Sequence, residues 1–187
     1  MKKIAILIAM MSILWGCSND TASPAPESQP ATTVQTQTQT EPAATEATKP
    51  SLELSNFSMQ DANGRWTELY SFAGDPMVLH FWTLNSDYTK NGMPIFERAS
   101  TRNTNVRFFM IQATDGVEET VEKAQDFVYH YGYTFPVFYD IEGEALSACN
   151  IETTPTTIFI DMFGNVVKTV TGPMTAAELD HALELIR

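Results

Sequence analysis

His80-Phe81-Trp82-Thr83-Leu84-Asn85-Ser86-Asp87-Tyr88-Thr89-Lys90-Asn91-Gly92-Met93-Pro94 is the stretch whose reading decides the fold. It closes an apolar run, Met77 to Leu84, of strand length and suited to the centre of a sheet covered on both faces. The run breaks at Asn85. Ser86 and Asp87 then start a helix, because a serine oxygen accepts an otherwise unpaired backbone N–H and an aspartate favours the positive helix end. The spacing predicts a helix from about Ser86 to Ser100, bent at Pro94. A buried strand turning sharply into a helix is the building block of an α/β domain.

The same grammar runs in both directions from this point. Upstream, Phe57, Asp61-Ala62-Asn63-Gly64, Trp66 and Leu69 read as a hairpin, since Asn63 and Gly64 both tolerate positive φ. Downstream, Val106 to Ala113 is a second buried strand. Val117 to Tyr131 has helical spacing, with Val121, Ala124, Phe127, Val128 and Tyr131 on one side. Tyr133 to Phe138 reads as a short strand or extended edge, and Glu142 to Cys149 as a short helix. Thr156 to Asp161 and Asn165 to Val170 are strands joined by a turn at Phe163-Gly164-Asn165. Thr175 opens a last helix, with Glu178 three residues on as a capping box. The aromatic run from Phe127 to Tyr139 is expected to lie mostly in the core. This order of elements predicts an α/β fold with a mixed sheet flanked by helices and an N-terminal hairpin.

Residues 1–50 are of a different kind. Lys2 and Lys3 precede an apolar run, Ile4 to Leu14, too short for a comfortable membrane span. The run ends Leu14-Trp15-Gly16-Cys17, which resembles a lipoprotein signal-peptide box. That resemblance implies that 1–17 is a signal segment and Cys17 the lipidated first residue of the mature chain. A plain uncleaved anchor is the rival reading, and both place the folded domain outside the cytoplasmic membrane. Residues 18–50 are a Thr/Pro/Gln-rich linker with Val34 as the only large aliphatic side chain, too polar to offset the entropy of ordering. As a flexible coil it spans roughly 30 Å and holds the domain, 51–187, off the membrane or across a wall.

Two signatures carry a resemblance to a known family. Phe81-Trp82, then Ser86, Thr89 and Pro94, follow the F-W-x-x-x-C-x-x-C-x-x-x-x-P segment of thioredoxin-like thiol-disulfide reductases of the bacterial envelope, the TlpA/ResA-like redoxins. Ile151 to Asp161 followed by Gly164 is similar to that family's V-x-G-x-P-T-T-F-x-I-D-x-x-G. The resemblance spans Leu52 to Arg187 and implies the thioredoxin fold. It also implies a cis Thr154-Pro155 bond facing the helix-start turn, and a groove between them that docks extended polypeptide.

The chemistry departs from that pattern. Ser86 and Thr89 stand at the two cysteine positions, and their hydroxyls stay protonated and form no disulfide. One reading is a degenerate site in which Ser86 survives as a helix cap. The sharper reading is a reworked polar binding groove made by Trp82, Ser86, Asp87, Tyr88, Thr154 and Pro155. A serine nucleophile lacks a histidine at a partner position.

The chain's other cysteine, Cys149, reads as a small buried residue; as a single exposed thiol it could form a mixed disulfide with a partner. A Cys17–Cys149 disulfide requires that Cys17 escape lipidation. His80 reads as a satisfied core histidine, with His130 and His181 on helix surfaces. No cofactor and no metal site is expected from this scatter.

Composition sets the outer limits. With 11 Lys and Arg against 23 Asp and Glu the net charge is -12, which argues against nucleic acid. Besides a purely structural lipoprotein spacer, two functions are compatible with the sequence. The first is a membrane-anchored, extracytoplasmic module that binds an envelope protein or extended polypeptide. The second is an envelope oxidoreductase working through Cys149 alone.

Overall fold

The computed structural model describes residues 53–187. The signal segment, Cys17 and the linker lie outside the described residues, as do the first two positions of the expected domain. In chain order the strands are β1 (Ser58–Asp61), β2 (Trp66–Glu68), β3 (Met77–Trp82), β4 (Arg107–Ala113), β5 (Val137–Asp140), β6 (Thr156–Ile160) and β7 (Val166–Thr171). The helices are α1 (Asp87–Arg102), α2 (Val121–Tyr131), α3 (Glu144–Ala148) and α4 (Ala176–Leu185), and a 3-10 turn covers Leu69–Phe72. They build one mixed seven-stranded sheet in the order β2-β1-β5-β4-β3-β6-β7.

The apolar run predicted the position of β3. All six of its residues are buried, and it is paired on both sides, parallel to β4 and antiparallel to β6. Alternation along β3 sorts its side chains between two cores. Val78 and Trp82 join Met93 and Phe96 of α1 and Leu179 and Leu183 of α4 on one face. Leu79 and Phe81 join Phe57, Leu69 and Ala145 on the other. His80 is buried, its Nδ1 2.9 Å from Thr157 Oγ1 and its ring 4.0 Å from that of Phe96. Burial pushes its pKa down to about 3, so it is a neutral core side chain.

Local chemistry fixes most boundaries. In the β1–β2 turn Asp61 Oδ1 accepts the Asn63 and Arg65 N–H groups, and Gly64 takes φ 78°. Thr175 and Glu178 form the capping box of α4. Pro94 lies inside α1.

Several expected boundaries shift. Helix α2 starts at Val121 rather than Val117, because the Asp115 carboxylate gathers the N–H groups of Val117, Glu118 and Glu119 into a turn. Those bonds hold the Asp115 carboxyl below its usual range. Strand β5 forms after Pro136, which has no N–H for a ladder. Part of the aromatic run is outside the core: Tyr129 is 89% exposed and Tyr131 49%. Tyr139 and Phe135 are buried as expected.

Candidate functional site

The site is made where β3 ends. Its last ladder pairs are Phe81 with Thr156 on β6 and Trp82 with Gln112 on β4. Beyond them the chain must turn, through Thr83, Leu84 and Asn85, into α1. Ser86 is the N-cap, its oxygen accepting the Tyr88 N–H at 3.3 Å, with Asp87 in the first turn. Thr89, only 3% exposed, donates its hydroxyl to the Thr83 carbonyl at 2.6 Å. The Thr83 hydroxyl in turn hydrogen-bonds the Thr154 hydroxyl across 3.1 Å.

The Thr154-Pro155 bond is cis. Ladder pairing with β3 begins only at Thr156, while the Pro155 carbonyl accepts the Gly172 N–H. A chain of hydroxyl contacts, Thr89 to Thr83 to Thr154, thus ties the helix start to the loop before β6.

The residues predicted from sequence divide clearly. Ser86, Asp87 and Tyr88 open α1, and Thr154 meets the turn before it through Thr83; Tyr88 is 54% exposed and Asp87 is also exposed. Ser86 and Thr154 are half-buried. Two predicted groove residues are not at the surface. Trp82 is fully buried against the α2 side of the core, 5.8 Å from the Phe127 ring, and its Nε1 has no hydrogen-bond partner among the described residues. The reason is register: position 82 is still on β3 and points with Val78 into the core. Pro155 is buried as well, so the loop presents Thr154 rather than the proline.

Cys149 has no disulfide partner among the described residues and is buried, 9% exposed, among Ala145 and Ile158. Burial first, and then the nearby Asp140 carboxylate, pushes its thiol up to about 12. Among the described residues no three of His, Cys, Asp and Glu gather as a metal site.

Sequence reasoning missed Thr83, the middle of the hydroxyl chain, and Glu119. The latter comes from the β4–α2 loop, is 6% exposed, and accepts the Leu84 and Asn85 N–H groups. Gln112, a buried polar residue inside apolar β4, was the signal that a polar network sits there. Nothing in the sequence pattern pointed to a cleft of about 830 Å³ between the β1–β2 hairpin and α2, lined by Trp66, Tyr129, Tyr133 and Phe138 among others. None of the predicted groove residues lines that cleft.

Comparison with known proteins gives the family and the fold. The AhpC/TSA family signature matches residues 51–169. The chain belongs to the AhpC/TSA family. Among curated family relatives, it is 30% identical over 136 residues to the thiol-disulfide oxidoreductase ResA of Bacillus subtilis (strain 168), covering 71% of this chain and 73% of that one. It is 31% identical over 134 residues to the protein of the same name from Halalkalibacterium halodurans, covering 71% and 74%.

Solved structures show the same thioredoxin-like fold. StoA from Bacillus subtilis has a TM-score of 0.60 at 26% identity, with 70% of this chain and 96% of that one covered. MTB DsbF in its mixed oxidised and reduced forms has a TM-score of 0.64 at 25% identity, covering 70% and 95%.

Proposed function

We propose that this AhpC/TSA family member is an extracytoplasmic module that binds extended polypeptide and carries out no dithiol exchange. A lipid on Cys17 anchors it to the cell membrane, and its partner is a protein of the cell envelope. The observation that carries the reading is the use already made of both hydroxyls at the helix start. Ser86 caps α1 and Thr89 is locked onto the Thr83 carbonyl. Neither is a thiol, and a disulfide exchange needs one thiolate to attack and a second to resolve.

What this site retains is shape. Thr154 stands beside the helix start, outside the β3–β6 ladder, where a strand-like segment can pair with its backbone. Tyr88 and Asp87 supply an exposed aromatic ring and a charge at the edge. The relatives named thiol-disulfide oxidoreductases bring the rival reading, an enzyme acting through Cys149. A buried thiol pushed up to about 12 is protonated at neutral pH and cannot attack a disulfide.

Insulin reduction by dithiothreitol tests the proposal. The protein is expected to add nothing to the background rate. A rate that disappears in Cys149→Ser overturns the binding reading in favour of the enzyme.

A further inference from the structure

We infer that Glu119 is the positioning residue of the site, acting through the backbone of the Leu84–Asn85 turn. The inference rests on the reading of the Ser86–Thr154 surface as the site, and names what sets its geometry. Glu119 Oε2 accepts the Leu84 N–H at 2.7 Å and Oε1 the Asn85 N–H at 3.0 Å. These two groups lie past the end of the β3 ladder and before the Ser86 cap.

The carboxylate is itself held. Gln112 Nε2 donates to Oε2 at 2.9 Å, and Thr114 donates its hydroxyl to Gln112 Oε1 at 2.7 Å, which orients the amide. The Glu119 backbone is fastened at both ends to Asp115, its N–H to Oδ1 at 2.8 Å and its carbonyl from the Asp115 N–H at 3.0 Å. Bonds from N–H groups to a buried carboxylate are among the strong ones.

Thr83 and Ser86 flank the clamped pair. On one side the Thr83 hydroxyl reaches Thr154, and on the other the Ser86 oxygen caps α1. A change at Leu84 and Asn85 therefore moves both walls of the site together. Glu119→Gln keeps the volume and one acceptor oxygen but turns an NH2 group toward one of the two N–H donors. The turn should open locally while the sheet stays closed.

Amide exchange and amide proton shifts of 15N-labelled protein test this without any ligand. In Glu119→Gln the exchange of Leu84 and Asn85 should rise about tenfold or more, and at least one of their proton signals should lose the downfield shift of an N–H facing a carboxylate. Amides of Val78 to Phe81 should exchange as in the parent. Unchanged Leu84 and Asn85 signals would overturn the inference. Equal acceleration across β3 would also overturn it, by reducing Glu119 to a general stabiliser. Either result leaves the polypeptide-binding reading standing, and a failed binding experiment with intact turn amides leaves Glu119 in its role.

Discussion

Thr89→Val removes a hydroxyl that joins α1 to the turn just after β3 while keeping nearly the same shape. Thr89 is 3% exposed and its 2.6 Å bond ends on the Thr83 carbonyl. The methyl that replaces the hydroxyl fits the space but offers that carbonyl nothing. A lost partner of this kind leaves a desolvated acceptor, at a cost of about 1–3 kcal/mol. The half-buried position of Thr83 lets water recover part of this, so about 1–2 kcal/mol is expected.

For a domain of this size each kcal/mol shifts Tm by about 3–4 °C. Thermal and urea unfolding followed by circular dichroism should therefore show a fall of about 3–8 °C with an unchanged m value. Thr89→Ser keeps the donor and loses only a buried methyl, worth about 1 kcal/mol. If Thr89→Val is as stable as the parent, the hydroxyl chain is not what ties the helix start to the strand.

The other predictions concern the titrating groups and the two hydroxyl residues at the helix start. His80 is neutral when folded, with its pKa lowered from 6.5 to about 3, so its stabilisation is full above pH 6.5. Stability should fall as pH drops from 6.5 toward 4, before most carboxylates titrate, and a non-titrating His80→Gln should flatten that arm of the urea midpoint curve. Cys149 has the opposite sign: its raised pKa stabilises the fold below about 9, and stability should decline from there toward 12, a decline absent in Cys149→Ala. The same burial predicts slow labelling by a thiol reagent at pH 8 and complete labelling in denaturant. Ser86→Cys combined with Thr89→Cys places two thiols at the start of α1, whose N-terminus lowers the first one's pKa. That variant should reduce insulin where the parent does not, measured by the same turbidity assay.

Where chemistry is local, the sequence was legible. The Asn63-Gly64 turn, the Ser86 cap and the Thr175–Glu178 box each depend on residues within four positions, and each is in place. The apolar run of β3 read correctly as a buried strand because both faces are covered. The same fact hid the orientation of Trp82, since a run buried on both sides has no alternation to show which core a side chain enters.

Glu119 was invisible for another reason. Val117-Glu118-Glu119 reads as the opening turn of a helix, where carboxylates are ordinarily solvated, and only the approach of the β3–α1 turn, some 35 positions away in sequence, gives Glu119 a buried role. Helix phase explains Tyr129, which faces solvent although its neighbours Val128 and Phe127 pack inward. The family frame was readable from spaced motifs, whereas the walls of the site depended on contacts between distant segments.

Polypeptide binding at the Ser86–Thr154 surface is tested most directly by recovery of envelope proteins on the purified protein, compared with Ser86→Trp and Thr154→Trp. Thr154 meets the Thr83 hydroxyl, and Ser86 caps α1 three positions after Thr83, so a bulky ring at either position stands on the proposed surface. A partner retained by the parent is expected to be lost from both variants, while their circular dichroism stays that of the parent and Tm falls only by the few degrees that loss of the Ser86 cap or of the Thr83–Thr154 hydrogen bond costs. Equal recovery by all three proteins would contradict this and remove the Ser86–Thr154 surface from the function.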